Sequence, residues 1–365
     1  MAFVRDWQSG SVARRWRRLG WAAGVVWIVL AMVLLAPYAM AQSPPPFPAE
    51  SYSGPNTAQG GQSSPEMWRD IRRGKSGTVV FPRPEGGVLI QSAGETWRLR
   101  HDTTVAYGGG LLLAVLGVAG SYLLVRGRIP IKGGRTGRVI PRFSLVQRIV
   151  HWFAAVLFVL LAVTGLLLLF GRYLLPPIIG QHAFALAASA SIEAHNLFGP
   201  LFIPAVVALC VTFVRGNGYR GVDFTWLLKG GGFFGGHASS LKYNFGEKSW
   251  FWWSVVMGLV LSASGMALLL PSVIGDRSVV QLANLAHAIA ALLFIAFAIG
   301  HIYLGTIGME GALEGMTRGT VDENWAKEHH DLWWAEHKTS ATADIRRAEV
   351  AAAERGDRAV WEAQR

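Results

Sequence analysis

His151, His195, His287 and His301 lie within or at the ends of long apolar stretches of the sequence. The first sits one turn inside "RFSLVQRIVHWFAAVLFVLLAVTGLLLLF", residues 142–170, where a basic foot leads into more than twenty apolar residues. An ionisable side chain in such a stretch needs a partner or a function. A neutral imidazole is a metal ligand through either ring nitrogen. His287 and His301 stand fourteen residues apart on one apolar stretch. As helix, that spacing falls about 40° short of four full turns and separates the rings by about 21 Å along the axis. One helix thus presents two ligands on nearly one face, close to its two ends.

The elements that must position these rings are membrane helices. Of 365 residues, 52% are hydrophobic, with 15 Trp and 18 Phe. They gather in blocks of about 20, the length that crosses a bilayer as helix. Five spans are predicted, at about 107–125, 148–171, 196–214, 250–270 and 281–304. The connection 126–148 holds Arg126, Arg128, Lys132, Arg135, Arg138, Arg142 and Arg148 and no acid, and 215–249 holds Arg215, Arg220, Lys229, Lys242 and Lys248. By contrast, 173–195 has no Lys or Arg and 271–280 only Arg277. Lys and Arg concentrate in cytoplasmic loops, which puts both basic connections and the C-terminus inside.

With that topology His151 and His301 are inner, His195 and His287 outer. Two imidazoles at one depth on two helices can fill both axial positions of a haem iron, and bundle cores are where such cofactors sit. No Cys-x-x-Cys-His occurs, so two such haems would be held non-covalently, as b type. Zinc is the competing metal; it takes four ligands, or three and a water, where the depth sorting supplies two per site. Arg148 precedes His151 by three residues, on the same face. It stands where an inner haem propionate would end, or is an ordinary positive-inside anchor. Gly165, fourteen residues after His151, and "SASG" at 262–265 would admit a porphyrin edge, or are packing positions of membrane helices. His101, His182, His237, His329, His330 and His337 lie outside the spans and read as solvated side chains. A surface metal at His329, His330 and His337 has no further support.

Residues 1–41 read as a secretory signal peptide, with "RRWRR", an apolar run and "AMAQ" as basic region, apolar region and cleavage site. An uncleaved first membrane helix is the alternative. Residues 42–64, rich in Pro, Ser and Gly, read as a flexible linker. Residues 65–105 read as a small periplasmic region with two or three short strands in "GTVVFPRPEGGVLIQS" and "ETWRLR". An extra transmembrane helix occupies 106–126, the four-helix di-haem domain 127–306 and a polar cytoplasmic tail 307–365. The expected fold class is therefore all-α integral membrane: a four-helix haem-binding bundle, one extra N-terminal helix and a small periplasmic segment. The net charge of +11 belongs to the loop asymmetry, and no basic, aromatic-interleaved domain points to nucleic acid. The single cysteine, Cys210, excludes a disulfide framework or a cysteine-held iron–sulfur cluster within the chain.

With these residues the chain resembles the gamma subunit (cytochrome b556 subunit) of respiratory formate dehydrogenase. The matching pieces are "QRIVHW" at 147–152, "AHNLFGP" at 194–200, "VDFTWLLKGGG" at 222–232, "KYNFGEKSWFWW" at 242–253, "LAHAIAALLFIAFAIGHIYLG" at 285–305 and "ENWAKEHHDLWW" at 323–334. The resemblance covers about residues 140–338, and the part before about 125 is similar to a longer form of the family. In that family a periplasmic subunit with molybdenum or tungsten oxidises formate. An iron–sulfur subunit relays the electrons to an outer haem, and an inner haem delivers them to quinone. The resemblance implies His195 and His287 as outer ligands, His151 and His301 as inner ones, and a quinone pocket at His301, Asn244 and Gly246. It implies an electron-transfer subunit of the bacterial inner membrane that does no bond chemistry on formate and has no catalytic residue of its own. Its mature N-terminus would be periplasmic and its C-terminus cytoplasmic. The cytochrome b subunit of a nickel–iron hydrogenase or thiosulfate reductase is one alternative; a non-redox membrane anchor or transporter with structural histidines is another.

Overall fold

The computed structural model of the chain describes residues 72–73, 92–232, 237–274 and 277–344. The expected signal peptide, the linker and the strand-like stretch at 77–91 lie outside these residues, as does the tail beyond Asp344. Val115 and the described residues after it form one compact unit, and those before it belong to a second.

Among the described residues five helices are long and apolar enough to cross a membrane. They lie in α1 Ser92–Arg126, α2 Leu145–Leu174, α3 Pro176–Phe213, α5 Phe245–Leu269 and α6 Arg277–Tyr303, the last continued by one π turn at Leu304–Gly308. A short helix, α4 Gly221–Leu228, joins α3 to α5. α2 packs along α3, α3 against α5 and α5 against α6. Their shared core holds Ala154, Leu157, Phe202, Ala205, Val206 and Phe294.

Local sequence sets the helix starts. Ser144 caps α2 through a capping box with Gln147, and Asn244 caps α5 through one with Glu247. Each reciprocal pair satisfies two of the amide donors that a helix start leaves open. α3 begins at Pro176, well before the expected 196, and bends at Gly180. The polar Gln181, His182, Ser189 and Glu193 disguise its first half as a loop.

Two further expectations change. The segment "ETWRLR" is helical, because α1 starts at Ser92. Adding residues to an existing helix gains a hydrogen bond each without a new nucleus. The segment read as a polar tail is folded from Met309 to Asp344. It contributes α7 Ala312–Thr317, β2 Thr320–Asp322, α8 Glu323–His329, α9 Asp331–His337 and β3 Thr342–Ala343. With β1 Arg138–Pro141 from the first basic connection it makes an antiparallel sheet of order β2-β1-β3. The sheet and helices bury Ile131, Ile140, Val321, Trp325, Ala326 and Trp333 in a core of their own. Fully burying a side chain such as Ile140 is worth roughly 1.5–3 kcal/mol, so this cap is a folded element rather than a solvated end.

The cap is fastened at the foot of α2. The carbonyl of Gly319 accepts from the amides of Arg142 and Phe143 at 2.8 and 3.1 Å. Gly319 has φ +85°, and a Cβ there would lie 2.8 Å from the Phe143 carbonyl oxygen. Both the turn and the close approach require glycine.

Candidate functional site

The structure brings the four membrane histidines together as two pairs. The ring centroids of His195 and His287 are 6.1 Å apart, and those of His151 and His301 are 6.2 Å apart. One ion bonded at about 2 Å by the near nitrogen of each ring puts two facing centroids about 6 Å apart, so both spacings suit a shared axial ion. His151 is seven residues into α2, and His301 is two residues from the end of α6. That pair lies near the cap. The other pair lies near the opposite end of the bundle.

Phe294, midway between His287 and His301 in sequence, packs on Phe158, with centroids 4.6 Å apart. An apolar partition thus fills the depth between the pairs. Among the described residues no three His, Cys, Asp or Glu side chains gather into a metal-holding cluster. Each pair therefore offers the two ligands that suit haem and falls short of a zinc set.

The His195 and His287 rings have a second tier of contacts. Thr164 Oγ1 of α2 lies 2.8 Å from His195 Nδ1, and Ser264 Oγ of α5 lies 2.9 Å from His287 Nδ1. Each hydroxyl also donates along its own helix, Thr164 to the Leu160 carbonyl at 2.8 Å and Ser264 to the Val260 carbonyl at 2.7 Å. A hydroxyl has one proton. Given to the carbonyl, it leaves the oxygen to accept from Nδ1–H. Both imidazoles are thereby held with the proton on Nδ1 and the lone pair on Nε2, the form that binds iron through Nε2. A Cβ at Gly165 would lie 3.4 Å from His195 Cε1, and one at Gly265 would lie 3.2 Å from His287 Cε1. The first is ordinary van der Waals contact; the second is tight, so Gly265 makes room for its imidazole.

The His151 and His301 rings are held differently. His301 stacks on Trp250, with centroids 4.6 Å apart and planes 15° from parallel. His151 Nδ1 is buried and has no hydrogen-bond partner among the described residues. Arg148 sends Nη1 to the Thr317 carbonyl at 3.0 Å, and its buried Nε has no partner there. The guanidinium keeps donor capacity at the cap, about one turn before His151.

Asn244 and Gly246 open α5 at the cap end, the same end as His301. Asn244 Oδ1 accepts from the Glu247 amide at 2.9 Å, so it has a definite capping role. Nearby, Arg142 Nη2 lies 2.9 Å from Glu247 Oε1 and 3.0 Å from His330 Nε2. Arginine has donors only, so Nε2 accepts and Nδ1–H donates to the Leu241 carbonyl at 2.8 Å. His330 is buried, against the expectation of a solvated ring, and burial followed by the Arg142 charge pushes its pKa down to about 3. It is a neutral strut of the cap. With both nitrogens engaged, it offers a surface metal nothing.

Thr164, Ser264 and Trp250 escape a reading of the sequence by histidines alone. The signal that could find the first two is "TG" at 164–165 and "SG" at 264–265, each opening nineteen residues into its helix.

Residues 142–319, from the foot of α2 to the turn after α7, match the family of prokaryotic cytochrome b561. The bundle belongs to that family. A cytochrome b561 domain implies haem b and electron transfer through it, in a multi-pass membrane protein. The chain is similar to the cytochrome b556(Fdn) subunit of the nitrate-inducible formate dehydrogenase of Escherichia coli K12. It is 28% identical over 207 residues, 54% of this chain and 92% of the relative. The cytochrome b556(fdo) subunit of the same organism is 28% identical over 202 residues, again 54% of this chain and 92% of the relative. The formate dehydrogenase cytochrome b556 subunit of Haemophilus influenzae is 27% identical over 217 residues, 55% of this chain and 84% of the relative.

Proposed function

We propose that this cytochrome b561 protein is the membrane cytochrome b subunit of a formate dehydrogenase, carrying electrons from partner subunits outside the membrane to quinone within it. The observation that carries the reading is the pairing of four imidazoles at two depths of one bundle. Relatives named as cytochrome b556 subunits of formate dehydrogenases supply the reaction. They favour it over a nickel–iron hydrogenase or thiosulfate reductase partner, and over a non-redox anchor.

His195 with His287 would hold an outer haem b, and His151 with His301 an inner one, with Arg148 reaching toward an inner propionate. When bound, each haem supplies reversible one-electron chemistry at its iron. The chain's own residues fix two depths, orient the rings and keep water out with the Phe158–Phe294 partition. His301, Asn244 and Gly246 would border a quinone pocket at the cap end. In a bacterial inner membrane with the mature N-terminus periplasmic and the cap cytoplasmic, quinone takes its protons from the inside. The donors would be an iron–sulfur subunit and a molybdenum or tungsten catalytic subunit outside. Each electron moved inward against 100 mV costs about 2.3 kcal/mol, which the redox drop from donor to quinone must supply.

The test is a dithionite-reduced minus oxidised spectrum with pyridine-haemochrome quantification. Two haem b per chain are expected, with one lost in His195→Ala or His287→Ala together with quinone reduction. Fewer than two in the native protein, or two retained in either variant, overturns the assignment. Reduction of the haems by formate in native membranes is expected; reduction by hydrogen or thiosulfate-linked donors in place of formate would name a different partner.

A further inference from the structure

The two outer histidines share a device that His151 lacks. A hydroxyl from a neighbouring helix accepts from each outer Nδ1–H, at 2.8 Å from Thr164 and 2.9 Å from Ser264. His151 Nδ1 has no partner among the described residues. The outer hydroxyls are well placed to accept because their protons are committed to Leu160 and Val260. Gly265, beside Ser264, leaves the His287 ring room at that distance.

An acceptor on Nδ1–H draws the proton outward and makes the opposite nitrogen a stronger donor to a metal. Stronger donation favours the ferric over the ferrous state and lowers the reduction potential, one of the ways a protein tunes a haem. Two such bonds acting on one iron reinforce each other. We propose that Thr164 and Ser264 are positioning residues that lower the outer haem's reduction potential relative to the inner one. The hydroxyls would thus give the electron path its downhill direction toward the cap. The proposal rests on the two-haem reading above.

The test is a redox titration of the purified protein, followed optically and by the low-spin ferric resonances in electron paramagnetic resonance. The variants are Thr164→Val, Ser264→Ala, their double, and the hydroxyl-keeping Thr164→Ser and Ser264→Thr. The outer component is identified as the one missing in His195→Ala. The outer potential is expected to rise in each single variant and further in the double, with its ferric resonances moved and the inner component unchanged. The hydroxyl-keeping variants should titrate as the native protein. Loss of the outer haem in the Val or Ala variants but not in the hydroxyl-keeping ones also supports the proposal.

An unchanged outer potential in a double variant that keeps both haems overturns it. So does equal haem loss with and without the hydroxyl, which would make these residues simple packing. A native protein holding fewer than two haems sinks the two-haem reading itself, and is recognised before any variant is compared.

Discussion

Lys248 and Asp223 form an ion pair with neither side chain exposed, Nζ to Oδ2 at 2.7 Å. Lys248 Nζ also reaches the Gly218 carbonyl at 3.1 Å, and the same carboxylate oxygen accepts from the Arg220 amide at 2.6 Å. The pair ties α4 and the turn before it to the first turn of α5, the turn that also carries Asn244 and Gly246. Coulomb attraction between two buried charges offsets their desolvation only while both are present, so removing one partner leaves the other stranded. Lys248→Met is expected to cost about 3–5 kcal/mol, seen as a lower thermal transition by intrinsic tryptophan fluorescence. The double variant Lys248→Met, Asp223→Leu should recover most of the loss. A single variant as stable as the native protein would show that the pair does not hold this joint. In the sequence Lys248 counts as one more cation of a basic loop, and its burial is legible only once α4 folds back over it.

Among the elements, α5 shows best how one residue can serve structure and function at once. Asn244 caps the helix, and loss of such a cap costs about 1 kcal/mol. Asn244→Asp keeps the capping oxygen but removes the amide donor and adds a charge. The expected outcome is native thermal stability with slowed quinone reduction, measured with a soluble quinone analogue; unchanged quinone reduction would leave Asn244 a cap alone. The elements were unevenly legible in the sequence. Long apolar blocks announced all five membrane helices, and histidine spacing announced which faces meet. The cap was hidden because its strands are two to four residues long and pair across more than half the chain, as Val139 does with Asp322. The hydroxyl contacts were hidden for a different reason. A Thr or Ser that donates to the carbonyl four residues back is an ordinary feature of membrane helices, and only the packing of α2 on α3 and α5 on α6 places an imidazole beside it. The early start of α1 was missed because helix extension depends on the neighbouring apolar span rather than on the polar residues themselves.

For the whole molecule, the direction of electron flow depends on which side of the membrane the cap faces. The folded cap is far less basic than the 126–148 connection alone implies. Arg135 pairs with Glu310 and Glu314, Arg138 with Glu323, and Arg142 with Glu247. Orientation is nevertheless governed by Lys and Arg flanking the spans, with acids contributing little. The pairing acids at 310–323 also emerge from the ribosome long after the 126–148 connection. The proposed topology therefore keeps the cap in the cytoplasm although its finished charges are largely balanced. His182, exposed in the first half of α3, and Ser340, exposed in the cap, report the two sides. In a Cys210→Ser background, a membrane-impermeant maleimide applied to intact spheroplasts is expected to label His182→Cys, and to label Ser340→Cys only after lysis. The reverse pattern would put the His151–His301 pair nearest the outside. External donor subunits would then meet the pair beside the proposed quinone pocket first, and electrons would have no reason to cross the Phe158–Phe294 partition to the hydroxyl-held rings beyond it.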